Sequence, residues 1–239
     1  MPHCLPGTDV FLEDLPARFR HARAGLIANP ASVDSSLVHS SARFARCPDL
    51  SLAALFGPQH GARADMQDNM IESPDAFDAR LGLPVYSLYG ERRQPDAATL
   101  AGLDVLLCDL PDIGARPYTF LWTMLLAMEA CAGAGLPFVL LDRPNPISAL
   151  NFDGPFLDPA CASFLGLHPL PQRHAMTMGE MAALFRHERR LDLDLTVVPC
   201  QGLERWMWFD DTGLPWVMAS PNIPDRKSVV EGKRVDLGG

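Results

Sequence analysis

Residues 103–141, LDVLLCDLPDIGARPYTFLWTMLLAMEACAGAGLPFVLL, decide the fold. The apolar run LDVLL (103–107) reads as a strand and stops at a dense polar loop, CDLPDIGARPYT (108–119). Into that loop are packed Asp109, Asp112, Arg116 and Tyr118, with Gly114, Pro111 and Pro117 shaping the backbone. TFLWTMLLAMEACAGA (119–134) follows and is apolar almost all round, which predicts a helix buried on several sides, ended by Gly133 and Gly135. LPFVLL (136–141) is the next strand, running into Asp142-Arg143-Pro144-Asn145-Pro146. A strand, a long crossover helix and a second strand imply parallel pairing with a right-handed connection.

The same pattern extends in both directions. GLIA (25–28) predicts a first buried strand, and residues 35–46, with a moderate helical period, predict the helix that follows it. LSLAALF (50–56) and LPVYSL (83–88) predict two more strands. Residues 59–73, QHGARADMQDNMIES, have too few periodic apolar positions for a core helix and read as a long functional loop or lid. Asp96 is a plausible N-cap for a short helix at 96–100, and Thr177 with Glu180 fits a capping box opening a helix at 177–190, before a strand at 193–198. The expectation is α/β: a Rossmann-like, mainly parallel sheet over residues 1–148 with helices on both faces, then the start of a smaller α/β domain at 149–224. Residues 225–239, DRKSVVEGKRVDLGG, are sharply more basic and glycine-rich and read as a non-native tail.

The 239 residues, 48% hydrophobic, suffice for a substantial core. A net charge of -9 without any basic run argues against nucleic acid as a partner. The acidic, proline-containing start does not resemble a signal peptide, and no apolar stretch is long enough for a membrane span, so a cytoplasmic location and no membrane partner are expected. Six cysteines without CxxC spacing read as reduced and structural. There is no G-x-G-x-x-G after the first strand, no Walker A loop, no G-x-S-x-G and no H-E-x-x-H. No cofactor and no metal are expected. The oligomeric state is open.

Four polar clusters each follow a strand: Gln59-His60 with Arg63 and Asp65, Tyr89 with Glu91, the 109–118 loop, and Asp142-Arg143 with Asn145. If the strands are parallel, all four gather on one rim, the ligand-binding edge of open α/β sheets. His60, in a turn, suits acid-base or hydrogen-bonding work, and His174 beside Arg173 has a similar claim. Glu72 and Glu91 are the nearest free carboxylates, whereas Glu129 sits among apolar helix residues as a raised-pKa acid or a partnered structural carboxylate. Arg116 and Arg143 either present forks to a ligand carboxylate or pair with Asp109, Asp112 or Asp142. Trp206, Trp208 and Trp216 either stack on a sugar face or anchor the core.

Seven strings in order, GLIANPASVD, LFGPQHGARADMQDNMIES, LPVYSLYGE, DVLLCDLPDIGARPYTF, LDRPNPI, RHAMTMGEMA and MWFDDTGLPW with SPNIP, resemble the bacterial exo-β-N-acetylmuramidase family of the NamZ/YbbC type, glycoside hydrolase family 171, formerly a domain of unknown function. The resemblance runs from about residue 7 to 224. It implies a Rossmann-like domain, a smaller C-terminal α/β domain, and release of N-acetylmuramic acid from the non-reducing end of peptidoglycan fragments in cell-wall turnover and recycling. A muramyl-containing glycan would be the substrate. Carried onto matching positions, Glu72, Asp112, Glu91 and His60 form the catalytic pool. Gln59, Arg63, Tyr89, Arg116, Tyr118, Asp142, Arg143, Asn145, Arg173 and His174 would bind substrate. Two departures stand out. Gln59 occupies a position where many members have glutamate, which opens the alternative of a non-catalytic muramyl-sugar binder. The family pattern also continues beyond SPNIP, so a C-terminally truncated chain is expected.

Overall fold

The computed structural model describes residues 4–59 and 73–220. His60, Arg63, Asp65 and Glu72, the proposed 59–73 loop apart from its two ends, and the 225–239 tail lie outside the described residues. In chain order the elements are α1 (Gly7–Glu13), β1 (Arg23–Ala28), α2 (Ser40–Ala45), β2 (Ser51–Gly57), β3 (Ala76–Asp78), β4 (Leu83–Ser87), α3 (Ala97–Leu100), β5 (Val105–Asp109), α4 (Thr119–Ala134), β6 (Phe138–Leu141), β7 (Asp153–Phe156), β8 (Pro171–Arg173), α5 (Met178–Glu188) and β9 (Leu195–Val198).

Seven strands form one sheet in the order β3-β4-β2-β1-β5-β6-β9, and β7 with β8 forms a separate antiparallel pair. Every neighbouring pair of the main sheet is parallel except β3 with β4. From β1 the chain winds outward through β2 to β4, then returns to place β5 on the other side of β1. The strand order therefore switches between β1 and β5, and a crevice opens there at the carboxyl ends.

Alternation along β5 explains the layers. Val105 and Leu107 join a core with Phe11 of α1, Phe19 and Phe44 of α2. Leu106 and Cys108 join the opposite core, with Trp122, Phe120 and Met128 of α4 and Met181 and Phe185 of α5. Because successive strand side chains face opposite ways, a strand buried on both faces must be apolar at consecutive positions, as VLLC (105–108) is. α4 packs beside α5 in the core on one face of the sheet, where ten of its residues are buried, and its nearly all-round apolar character follows from that burial. Gly135, at φ 63°, ends it in the left-handed conformation.

The expected helix at 35–46 is shorter, Ser40–Ala45. Asp34 Oδ1 accepts from the amides of Ser36 and Val38, and this local turn, with Leu37 at φ 62°, displaces the first helical turn. The helix–strand pair at 177–198 adds to the main sheet: β9 runs parallel to β6. None of the described helices is long and apolar enough to cross a bilayer.

Candidate active site at the carboxyl edge of the sheet

Since β2, β4, β5 and β6 are mutually parallel in direction, the loops carrying Gln59, Tyr89 with Glu91, Asp109–Tyr118 and Asp142–Asn145 all leave the sheet at one edge. The loop after β5 is fixed there by backbone pairing with β8. Arg116 N donates to Gln172 O at 2.8 Å, His174 N donates to Gly114 O at 3.4 Å, and Ala115 bridges Arg173. Gly114, at φ 78°, makes this turn, and a Cβ there would lie 2.4 Å from Ile147 Cγ1 and 2.5 Å from Asn145 Oδ1.

This strip sets His174 against Asp112. His174 Nε2 lies 3.0 Å from Asp112 Oδ2, with both side chains essentially fully buried, but off the line of a well-aligned hydrogen bond. The amide of Met176 donates to His174 Nδ1 at 3.3 Å, which assigns the ring proton of the neutral form to Nε2, the nitrogen facing Asp112. Asp112 Oδ2 also accepts from the Gly114 amide at 3.0 Å. Its other oxygen, Oδ1, is buried and has no hydrogen-bond partner among the described residues. The Tyr118 hydroxyl is likewise buried and unpartnered there, and burial, reinforced by the charge of Asp112, holds its pKa well above the usual phenol value. A buried acceptor without a partner costs about 1–3 kcal/mol, more if charged, so such an atom at a ligand-binding edge calls for a functional account.

Each arginine of the edge has a partner within the protein, and Arg173 keeps a buried Nε without one among the described residues. Arg143 pairs with Asp109 and also donates to Val33 O at 3.0 Å. Arg116 donates to the carbonyls of Leu170 at 2.6 Å and Pro155 at 3.1 Å, holding the β7–β8 hairpin. Arg173 donates to Ile147 O and lies over the Trp208 ring, 5.6 Å from its centroid. Asp142 accepts from Thr177 Oγ1 and from the amides of Gly179 and Arg143, capping α5, and burial outweighs these bonds to push its carboxyl up to about 6. Asn145 accepts from Ile147 N and donates to Met176 O. Gln59 Oε1 accepts from Thr119 Oγ1 at the start of α4, 2.7 Å away. Tyr89 is buried under the Arg93 guanidinium, 3.9 Å above its ring, whereas Glu91 is exposed and unpaired among the described residues.

The structure thus brings together Asp112, Tyr118, Arg173 and His174, while Glu91 is exposed on the loop after β4. Two residues that the sequence reading does not single out, Asn29 and Ser32, belong to the same edge: Asn29 Nδ2 donates to Ala219 O, and Ser32 Oγ donates to Asp109 O. Their signal is the Asn-Pro-Ala-Ser turn directly after β1. Of the tryptophans, Trp206 and Trp208 are exposed, while Trp216 packs edge-on against Phe209 at 5.0 Å. Among the described residues no group of three or more His, Cys, Asp or Glu is placed to hold a metal ion.

The chain is 44% identical over 245 aligned residues to the peptidoglycan beta-N-acetylmuramidase NamZ of Bacillus subtilis (strain 168), an alignment covering 99% of the chain and 59% of that protein. It therefore spans about three fifths of that relative's length. A crystal structure of a DUF1343 family protein from Bacteroides fragilis superposes with TM-score 0.88 at 36% identity, covering 97% of this chain and 61% of that one. A second DUF1343 protein from the same organism gives 0.73 at 28% identity, over 86% and 54%. The family described as exo-beta-N-acetylmuramidase NamZ, N-terminal, matches residues 24–227, and the chain belongs to it.

Proposed function

We propose that the chain serves an exo-β-N-acetylmuramidase, a glycoside hydrolase that removes N-acetylmuramic acid from the non-reducing end of peptidoglycan fragments. The family membership supports the reaction class, and one observation supports the assignment of the site: Asp112, buried at the β1/β5 crevice with one carboxylate oxygen unpartnered among the described residues. Glycoside cleavage passes through an oxocarbenium-like transition state, and a desolvated carboxylate facing the anomeric carbon stabilises that positive charge more strongly than one in water. His174 orients Asp112 through its Nε2 contact, and the Gly114 amide fixes the same oxygen. The acid that protonates the leaving oxygen is then Glu72 or Glu91, with His60 in the same 59–73 stretch of the sequence as the first. Gln59 holds α4 in this reading and donates no proton to the leaving group.

The test is release of N-acetylmuramic acid from a muramyl-glucosaminyl disaccharide, with Asp112→Asn beside the parent chain. A loss of at least about a hundredfold in turnover, with disaccharide binding retained, is the expected result. A folded parent chain that binds the disaccharide without cleaving it would instead establish a muramyl-sugar binder, the reading that the Gln59 replacement favours.

A further inference from the structure

The N-terminal segment meets the chain just past β9 in an isolated antiparallel bridge, Leu5 with Gln201. Leu5 N donates to Gln201 O at 2.9 Å, and Gln201 N donates to Leu5 O at 3.0 Å. Further along, Gly7 N donates to Asp142 O at 2.8 Å, and a Cβ on Gly7 would lie 2.5 Å from Val198 O, so the segment is seated closely on the ends of β6 and β9. Cys4 and Cys200 each precede a bridged residue. Since side chains alternate along bridged backbone, both thiols leave on the face opposite Leu5 and Gln201, diagonal to one another. The two thiols hydrogen-bond to each other, and Cys200 Sγ also lies 3.2 Å from Asp142 O. They are not joined.

Their settings differ. Cys4 is buried, whereas Cys200 is half-buried and lines an open cavity of about 350 Å³ with Thr177, Glu180, Leu203 and Met207. Hydrogen peroxide, little larger than water, has its way to the pair on that side. The hydrogen bond from Cys200 holds the Cys4 thiol below its usual pKa, and the same bond tightens the hold of Cys200 on its own proton. The pair therefore gives up one proton and shares the other.

We propose that Cys4 and Cys200 form a peroxide-responsive dithiol that closes to a disulfide and clamps the N-terminal segment to the end of β9. Proton transfer along the hydrogen bond places the charge on Cys200, whose sulfur attacks one peroxide oxygen. The O–O bond breaks, leaving a sulfenic acid on Cys200 and a hydroxide that takes the Cys4 proton and becomes water. The Cys4 thiolate then attacks the Cys200 sulfur: the S–S bond forms, the S–O bond breaks, and the departing hydroxide takes a proton from solvent as the second water. Each sulfur gives up one electron, and the peroxide accepts both. Because the bridge is isolated, no ladder fixes Cys4 at a regular diagonal spacing, and the sulfurs close from hydrogen-bond contact to the roughly 2 Å of a disulfide. Neither thiol takes part in the muramidase reading.

The test is exposure of the 239-residue chain to hydrogen peroxide, with Cys161→Ser removing an exposed competing thiol, then alkylation under denaturing conditions and peptide mass mapping without reductant. A cross-linked Cys4–Cys200 peptide is expected, with loss of both thiols to alkylation and their return after dithiothreitol. With Cys4→Ser, Cys200 should advance to sulfinic acid for want of its resolving partner, and with Cys200→Ser, Cys4 should stay reduced. The mapping is made on a chain that keeps both cysteines and stands even if a single variant misfolds. Cys4 and Cys200 both still open to alkylation, at peroxide doses that oxidise Cys161 of the parent chain, would overturn the proposal. So would oxidation of Cys200 with Cys4 left free.

Discussion

Arg143 and Asp109 form a two-point pair at the edge of the sheet, Nε 2.6 Å from Oδ1 and Nη2 2.9 Å from Oδ2, with the aspartate wholly buried. The pair links the loop after β6 to the last residue of β5. Its removal from one side leaves an uncompensated charge in the interior. Arg143→Ala should cost about 3–5 kcal/mol in urea unfolding, whereas replacing both partners by apolar residues should cost distinctly less. A double-variant loss equal to the sum of the two single-variant losses would show that the charges are not coupled.

Asp142 gives a pH-dependent contribution to stability. Its folded pKa, about 6, lies above the ordinary 3.8, and burial is the first cause. The folded state therefore holds the proton more tightly, so the contribution is complete below pH 3.8 and is lost as pH rises through 6. A difference of this size is worth about 3 kcal/mol at most. Asp142→Asn, which mimics the neutral form, should flatten the stability profile between about pH 4 and 6; an unchanged slope in urea titrations at several pH values would reject the assignment.

Gly114 is both left-handed and hemmed in by Asn145 and Ile147. Gly114→Ala should destabilise by more than about 2 kcal/mol, since strain and overlap add. It should also disturb the near-ultraviolet signal of nearby Tyr118, because the turn positions the whole 112–118 loop. A loss of under about 0.5 kcal/mol would mean the loop relaxes freely.

Gln59 and Thr119 tie the end of β2 to the start of α4. Gln59→Ala should cost about 1 kcal/mol. Gln59→Glu keeps an acceptor at the same place and should preserve thermal stability to within a few degrees. If turnover rises by an order of magnitude in Gln59→Glu, the side chain at 59 takes part in proton transfer, and its purely anchoring role is refuted.

The strands and the long helix α4 were legible because burial on two faces writes continuous apolar runs, as in LDVLL and LPFVLL. The caps at Asp96 and Thr177 were legible too, and both are present as reciprocal capping boxes, with Thr99 and Glu180 as the third-position partners. β3 was hidden because it is three residues long and pairs antiparallel at the sheet edge. β7 and β8 were hidden because an exposed short hairpin in a Pro- and Gly-rich segment has no hydrophobic period. The gathering of the post-strand clusters on one edge could be read once parallel strands were inferred. What the sequence did not carry was the pairing of side chains: Arg116 and Arg143 were open to ligand or protein partners, and only the fold commits them. Asn29 and Ser32 read as a turn and not as site residues, because small polar residues after a strand serve turns far more often than sites.

The strip that joins residues 114–116 to 172–174 also bears on how the protein comes into being. Asp112 and His174 belong to segments far apart in the chain, so their contact closes a long loop that contains α4, β6 and the β7–β8 hairpin. During synthesis the Asp112 loop emerges well before its partner strand, and until β8 is made the carboxylate stays hydrated. The Asp112–His174 contact is thus among the later parts to assemble, and a ribosome-bound chain halted before residue 171 would hold most of the parallel sheet and the Arg143–Asp109 pair without a desolvated Asp112.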